Sequence, residues 1–275
     1  MGSAFLLGFY DVAKKQALKR NGVMGVLFLA TSFSALFMSP FLTAGTLSGH
    51  LLLIAKAFIV SISWISGLAA LKLIPLTTAS TIKASRPVLV LIFSIVLFGE
   101  RLSLWQWAGV LLAVAALFLL SRTSKNEGIE FSSNKGIFYM AISVISGAGS
   151  ALYDKYILTS LQPLFVQSWT NIYIAALLGL IIAGEKFLHP GNAQKLKWDW
   201  NILVIAVLIT VSDCLYFFAV KEEGSLLSVI SLIRRGSVII TFALGAVLFK
   251  ENNISPKAIS LGILLAGLVL LVLVS

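Results

Sequence analysis

Long apolar runs alternate with short polar breaks along the whole chain. A helix needs about 20 mostly apolar residues to cross the hydrocarbon core of a bilayer. The breaks at residues 20–22, 99–101 and 250–253 are polar or carry glycine, so they cannot lie in hydrocarbon facing lipid. This pattern predicts ten membrane-spanning helices, at about residues 1–18, 22–42, 50–71, 77–98, 103–121, 136–157, 163–184, 199–220, 225–249 and 256–274.

The composition agrees with an all-α integral membrane protein. Hydrophobic residues make up 59% of the chain and charged residues 12%, whereas soluble domains have nearer half and a quarter. The net charge of +10 is carried mainly between the apolar runs, so it indicates orientation against a lipid bilayer and no nucleic-acid partner. Cys214 is the single cysteine, so an internal disulfide is excluded. We see no cleavable signal peptide in residues 1–10.

The polar stretch from residue 121 to residue 135 divides the chain near its middle, and short motifs recur in the same order on both sides of it. The matching segments are 10–11 with 153–154, 70–72 with 219–221, and 96–100 with 247–251. We therefore predict a first five-helix repeat at 1–121, a polar linker at 122–135 and a second five-helix repeat at 136–275. An odd number of spans per repeat inverts the second repeat, as in many secondary transporters.

The repeat also predicts that the first helix is about two turns shorter at its start than the sixth. Nine residues precede Tyr10, but 17 separate Gly136 from Tyr153. A shortened start and a genuinely short first helix both account for this difference.

Several segments resemble the drug/metabolite transporter superfamily, specifically its EamA branch. They are FGERLS at 98–103, WQWAG at 105–109, GSALYDK at 149–155, SDCLYFFA at 212–219 and FKE at 249–251. The resemblance covers essentially the full chain. It implies ten helices, a central cavity between the halves, export or exchange of metabolites, and a multi-pass protein of the bacterial inner (plasma) membrane. Lys250-Glu251 departs from the Gly-Glu ending of the family pattern.

Two arguments about orientation disagree. Basic residues are concentrated in the odd-numbered connections between spans, and the positive-inside rule then places both termini outside. The family resemblance implies termini in the cytoplasm. The orientation stays open at this point.

Charged residues in the middle of spans indicate the functional region. Asp213 lies in the eighth span, Arg234 and Arg235 in the ninth, and Lys83 and Arg86 in the fourth. A charge at the bilayer centre costs about 2.5–3.5 kcal/mol on insertion scales, so such groups face a polar interior or pair with one another.

Helical spacing places polar residues beside these charges. Three pairs share a helix face: Ser231 with Arg235, Ser80 with Lys83, and Asp213 with Tyr216. Because the fourth and ninth spans correspond in the repeats, we expect their polar faces to meet at a central cavity. That cavity would have an excess of positive charge and would suit a substrate with a carboxylate or phosphate group.

The alternative is that Asp213 only neutralises one arginine and joins the eighth and ninth helices. That account leaves the second arginine, Lys83 and Arg86 without partners.

Aromatic residues have two interpretations. Tyr10 and Tyr153 either close the cavity as gates or belong to structural Tyr-Asp pairs, with Asp11 reaching Lys15 and Asp154 beside Lys155. Trp64 either lines a pocket or packs in the core.

We also expect Lys56 to extend to the membrane interface. The small residues from 147 to 151 should allow close helix packing, and Pro87 should mark a helix boundary or a kink.

The predicted substrate-binding residues are Arg235, Arg234, Asp213, Tyr216, Ser231, Lys83, Arg86, Ser80, Trp64, Tyr10 and Tyr153.

Enzyme signatures are missing from the sequence. It has no H-E-x-x-H, G-x-S-x-G or Walker-type motif, and His50 and His189 stand alone. We expect no catalytic residues, no metal and no cofactor.

Three functions remain, in this order of preference. The first is a secondary transporter, exporter or exchanger, of a small metabolite that is amino-acid-like or anionic. The second is a flippase for a lipid-linked sugar or phospholipid. The third is an intramembrane enzyme acting on a lipid phosphate through Asp213 and the arginines. Ten helices in one chain can form a complete pathway, so a monomer suffices, and a homodimer stays open.

Overall fold

The structure, a computed structural model, describes residues 2–98, 103–188, 197–222, 230 and 233–273, apart from the side chains of 94–98 and 272–273. Within these residues every regular element is helical. The α-helices are α1 (Gly2–Ala17), α2 (Val23–Met38), α3 (Leu47–Leu73), α4 (Leu76–Ala84), α5 (Arg86–Phe98), α6 (Leu104–Lys125), α7 (Lys135–Ile157), α8 (Pro163–Leu188), α9 (Trp200–Lys221), α10 (Ser237–Phe249) and α11 (Ile254–Leu273), with a 3-10 turn at Ser39–Phe41.

Seven helical segments of the described residues are long and apolar enough to cross a membrane. They are Val23–Phe41, α3, α6, α7, α8, α9 and Ile254–Leu271. Between 33% and 44% of the residues in the apolar 18-residue window of each are buried, so most residues of these windows keep some accessible surface. The prediction of an all-α, multi-pass membrane protein is confirmed. The count of ten spans in two repeats stays a prediction, because α1, α4, α5 and α10 are each shorter than a span.

The predicted fourth helix is not continuous. It is divided at Ser85 into α4 and α5, and the Ser85 N–H bonds to the carbonyls of Ile82 and Lys83 in a tightened turn. Pro87 explains the division, because proline has no N–H and its ring clashes with the carbonyl four residues earlier, here that of Lys83. A second break precedes α10, where the Gly236 N–H bonds to the Ile233 carbonyl at 3.0 Å.

Helices before the central linker pack mainly against helices after it. The most extensive crossings are α6 with α11, α3 with α7, α1 with α9, and α2 with α8. Numbered by the predicted spans, these are five with ten, three with six, one with eight, and two with seven. If each span is replaced by its counterpart in the other predicted repeat, the same four pairs result. This symmetry of the helix contacts agrees with the predicted two-fold organisation.

Small residues allow the closest of these crossings. A Cβ atom on Gly109 of α6 would lie 2.6 Å from the carbonyl oxygen of Gly267 in α11, and the reverse distance is 2.7 Å. Small residues at such crossings let two backbones approach and gain van der Waals contact in lipid.

A polar network joins the two halves at one end of the bundle. The Glu251 carboxylate accepts bonds from the backbone N–H groups of Leu76 and Thr77, at 2.6 and 2.9 Å, and so caps the first turn of α4. The fully buried Lys257 donates to Glu127 at 2.7 Å and to the Thr77 hydroxyl at 3.3 Å. Glu251, which follows the departure from the family pattern at residue 250, therefore belongs to the second half and caps α4 of the first half.

Candidate functional site

A central cavity of about 160 Å³ is bordered by α1, α3, α4, α5, α7, α8, α9 and residues 234–235. One water needs about 10–15 Å³ of such space, so the cavity has room for about ten waters or a solute of similar size. The charged residues in its described lining are Asp11, Lys14, Lys56, Lys83, Arg86, Asp154, Asp213, Arg234 and Arg235.

Asp11 on α1 binds two lysines. The Lys83 ammonium of α4 donates to both carboxylate oxygens, at 2.8 and 2.7 Å. Lys14, one turn along α1, lies 3.9 Å from the same carboxylate. Asp11 and Lys14 are 5% and 6% exposed, so this cluster holds charge away from bulk water.

The other two carboxylates also have cationic partners. Asp154 of α7 accepts a bond from Lys56 of α3. Asp213 of α9 accepts a bond from Arg234, whose guanidinium also lies 4.1 Å from the ring centroid of Tyr216, a cation–π distance. The predicted neutralisation of one arginine by Asp213 is therefore present.

Arg86 and Arg235 have no carboxylate partner among the described side chains. The Arg86 Nη2 reaches only the Ser143 carbonyl, at a long 3.4 Å. The Nε atoms of Arg86, Arg234 and Arg235 are all buried without an acceptor in the described part of the chain, but only Arg234 has a carboxylate partner there. The electrostatic environment of Arg235 combines repulsion from Arg86 and Arg234 with attraction from Asp11. The three arginine side chains are partly buried, and buried charges are normally paired, so this cluster is suited to an anionic partner.

The lining carries a formal excess of positive charge. Six basic side chains face three carboxylates in the described lining, which leaves an excess of three. In a site shielded from water this excess attracts an anion more strongly than it would at an exposed surface.

Both helix breaks lie beside the charged residues. Lys83 and Arg86 flank the break at Ser85, and Arg234 and Arg235 directly precede the break at Gly236. Broken helices often carry substrate sites in transporters, because the interruption is tolerated only where it lines a cavity or is covered by protein.

The remaining predicted residues have different positions. Tyr10, Trp64, Ser80 and Tyr216 line the cavity with the charged groups. The Ser80 hydroxyl is bonded to the Thr77 carbonyl at 3.0 Å, so its hydrogen is already used.

Tyr153 is not part of the cavity lining. Its hydroxyl donates to the Leu52 carbonyl at 3.1 Å, which holds the ring against α3. Ser231 lies outside the described residues.

The comparisons with known proteins identify the family. A model of the EamA-like transporter family matches residues 1–122 and 134–273. The chain belongs to the EamA-like transporter family. The resemblance seen in the sequence is thereby confirmed, and the protein is a membrane transporter.

Two further proteins are similar along almost the whole of this EamA-like transporter. An uncharacterized transporter of Archaeoglobus fulgidus is 22% identical over an alignment of 275 positions, which covers 90% of this chain and 94% of the relative. A protein of known crystal structure superimposes with a TM-score of 0.68 at 17% identity, over 99% of this chain and 97% of its own. At that identity the second likeness shows the fold alone.

Two ion pairs of this EamA-like transporter differ from the expectations. Asp11 was expected to reach Lys15, but it binds Lys83. Lys15 instead donates to the carbonyls of Leu71 and Ile74 at the end of α3, at 2.5 and 2.7 Å. Carbonyls at a helix end lack intrahelical partners and so attract a lysine.

The expectation for Lys56 is wrong. It is 3% exposed and binds Asp154, while Lys155 next to Asp154 is exposed. Lys56 lies in the N-terminal half of α3 and faces α7, so its extension to the interface would leave Asp154 buried without a cation. The sequence could have indicated this pair, because Lys56 and Asp154 have opposite charges and each lies within a predicted membrane span.

Gly147 of α7 makes room for Arg86. The Arg86 guanidinium lies where a Cβ atom on Gly147 would be, so any larger residue must displace it. The small-residue run was expected to serve helix packing, but at this position it accommodates a charged group of the cavity.

The polar face of α8 was missed by the sequence analysis. Gln167, Thr170 and Asn171 are buried, and all three line the cavity of the EamA-like transporter. Their i, i+3, i+4 spacing could have indicated this face. Among the described residues no three His, Cys, Asp or Glu side chains are grouped as a metal site requires.

Proposed function

We propose that this protein is a secondary transporter, an exporter or exchanger, of a small anionic metabolite, working by alternating access around the central cavity. The observation that carries the proposal is the cluster of Arg86 and Arg235, which have no carboxylate partner among the described residues. A carboxylate or phosphate would supply the missing acceptors, and guanidinium groups bind such oxyanions through two parallel bonds.

The substrate is expected to be small. Room for about ten waters corresponds to a solute of about ten non-hydrogen atoms, such as a short organic acid, an amino acid or a small phosphate ester. Binding of the anion would relieve the repulsion among the arginines and favour closure of the two halves around it. We place the protein in the bacterial inner (plasma) membrane, as the family resemblance implies.

The first test is thermal stability of the purified protein against a panel of organic acids, phosphate esters, cations and neutral solutes. A ligand that binds only the folded form raises the melting temperature by mass action. We expect stabilisation by anions in the native protein, and its loss in Arg235→Ala. The matched control is Arg122→Ala, since Arg122 is exposed on α6 with its guanidinium over Phe118.

The stabilising anions are then tested as substrates in proteoliposomes. Transport by the native protein and Arg122→Ala, but not by Arg235→Ala, would support the proposal. Stabilisation only by cations or neutral solutes would contradict it, as would unchanged anion binding in a folded Arg235→Ala variant, which would make the arginines structural.

A further inference from the structure

The two helix breaks lie at corresponding positions of the predicted repeats. The helices that follow them, α5 and α10, each have 13 residues and each end at a phenylalanine. The N–H groups of the break residues, Ser85 and Gly236, each bond to the carbonyl three residues earlier at 3.0 Å. Each break residue also accepts a bond from the residue three positions later, at 3.0 and 3.2 Å. Lys83 and Arg234 each lie two residues before the break, so they correspond to one another.

The two halves pair these cations differently. In the first half, Lys83 donates to both carboxylate oxygens of Asp11. The matching Tyr-Asp segment of the second half contains Asp154, but no ion pair joins Asp154 to Arg234. Arg234 binds Asp213 of α9 instead. An ion pair therefore joins the first and fourth spans of one half, while its counterpart in the other half is not made.

Asp154 is placed to accept Arg234. Its side chain is 10% exposed, it lines the same cavity, and its electrostatic environment includes attraction from Arg234. Tyr216, whose ring centroid lies 4.1 Å from the Arg234 guanidinium, is within electrostatic range of the carboxylates of both α7 and α9. Lys56 need not leave Asp154 when Arg234 arrives, because Asp11 already binds two cations in the same cavity.

An exchange of partners avoids leaving buried charges unpaired. Removal of one member of a buried ion pair is strongly destabilising, because the other charge is left uncompensated. If Lys83 leaves Asp11, that carboxylate keeps Lys14 at 3.9 Å, and Lys83 itself is 25% exposed, so water or the substrate can take the place of the carboxylate. If Arg234 leaves Asp213, this carboxylate is still attracted by Lys14.

Inversion of the repeats connects this exchange to the direction in which the cavity opens. Equivalent positions of inverted repeats lie on opposite sides of the membrane midplane. A state in which the two halves exchange their pairings therefore closes the side that was open and opens the side that was closed. Such a change needs two arrangements of similar free energy, which alternative ion pairs supply.

We propose that Arg234 exchanges partners during transport, between Asp213 in the present arrangement and Asp154 in the state open to the opposite side. The pair of Lys83 with Asp11 is made in the present arrangement and is broken in the other state. This inference rests on the proposed alternating access, and it does not require that the substrate be an anion. Asp154 and Asp213 are thus positioning residues for Arg234.

The test measures from which side of the membrane the cavity can be reached. Ser150 lines the cavity on α7 and is partly exposed, so Ser150→Cys in a Cys214→Ser background carries the single thiol of the chain. A membrane-impermeant methanethiosulfonate is applied to right-side-out and to inverted membrane vesicles, and the labelling rate is measured on each side. The protein without further changes should be labelled from both sides, because it alternates.

Two changes should shift this labelling in opposite directions. Asp213→Asn removes the partner that Arg234 has in the present arrangement and favours the other state. Lys56→Met combined with Asp154→Asn removes the alternative partner without leaving Lys56 unpaired, and favours the present arrangement. We expect the ratio of the two labelling rates to change on the order of tenfold in each case, in opposite directions.

Further variants test the same exchange. Lys83→Met breaks the other pair of the present arrangement while Asp11 keeps Lys14, so it should shift labelling in the same direction as Asp213→Asn, and it replaces that variant if it does not fold. Glu222→Gln and Lys155→Met are the controls, since both side chains are exposed near the ends of α9 and α7. The controls should be labelled from both sides, as the background protein is.

The outcomes separate this inference from the proposed function. Unchanged labelling ratios in the folded variants, or a shift of Asp213→Asn and the double variant toward the same side, would overturn the exchange. Labelling of every variant from one side only would overturn the exchange and alternating access together. If the labelling shifts as expected but no anion stabilises the protein in the Arg235→Ala comparison, the exchange stands and the substrate belongs to another class.

Discussion

At the residue scale, the cavity is built from charges that partly neutralise one another. Asp11 and Lys83 are both from the first half of the chain, whereas Lys56 and Asp154 join α3 of the first half to α7 of the second. Removing two charges from water is costly, and loss of one partner leaves the other uncompensated. These pairs therefore make the position of each helix depend on its neighbour.

Lys56→Met should be strongly destabilising, because it leaves the Asp154 carboxylate buried without a cation. We expect a loss of about 3–5 kcal/mol in the free energy of unfolding, measured by denaturant titration in mixed micelles. Adding Asp154→Asn should restore most of it. Lys155→Met is the control, since this adjacent lysine is exposed; an equal loss in both single variants would contradict the structural role of the pair.

The sequence identified the mid-span charges as functional candidates and an arginine as the partner of Asp213, but not the partner of Asp11. An i, i+4 rule suggested Asp11 with Lys15, and the actual partner is Lys83, 72 residues away. One sequence contains no information about which face of α1 meets which face of α4. Gln167 and Thr170 were not predicted to line the cavity, because uncharged polar residues cost much less free energy in an apolar helix than charged ones do, and their presence there indicates less about function.

At the element scale, the helices follow the apolar runs closely, because the bilayer requires their length and composition. The predicted third span of 50–71 is α3 at Leu47–Leu73, and the predicted sixth span of 136–157 is α7 at Lys135–Ile157. A helix boundary or kink was predicted at Pro87, and the helix divides at Ser85, two residues earlier. The hydropathy pattern continues unchanged through it, and a proline indicates a kink without fixing whether the helix bends or divides.

The packing of α5 against α7 gives a matched test of the Arg86 position. Gly147→Ala places a methyl group where the guanidinium lies, whereas Gly149→Ala meets nothing within 4 Å. We expect anion affinity to fall on the order of tenfold or more in Gly147→Ala, because misplacing a bidentate donor removes its bonds. Affinity is measured by titration and folding by the melting temperature. Equal affinities in the two folded variants would show that Arg86 does not bind the anion.

At the scale of the whole molecule, almost every large helix contact joins the first half to the second. The crossings of α6 with α11, α3 with α7, α1 with α9 and α2 with α8 all do so. The bonds of Glu251 to the start of α4 and of Lys257 to Thr77 add polar contacts between the halves. Neither half alone can bury these groups.

Expression of the chain as two pieces, cut between Ser132 and Ser133, tests this dependence. The cut keeps Glu127 in the first piece and Asn134, which caps α7 through bonds to Gly136 and Ile137, in the second. We expect the pieces to copurify through a tag on one of them when they are produced together, and to be degraded when produced singly, because each would expose unpaired charges to lipid. Accumulation of either piece alone in folded form would contradict the prediction.

If the pieces assemble in this way, the peptide that connects them contributes little to holding the molecule together. Two short genes could then encode the same membrane protein, provided that both products reached the bilayer in opposite orientations and in equal amounts. The covalent connection guarantees that equality: every first half is made with one second half beside it. The main effect of the linker would then be that the two halves are synthesised in a one-to-one ratio.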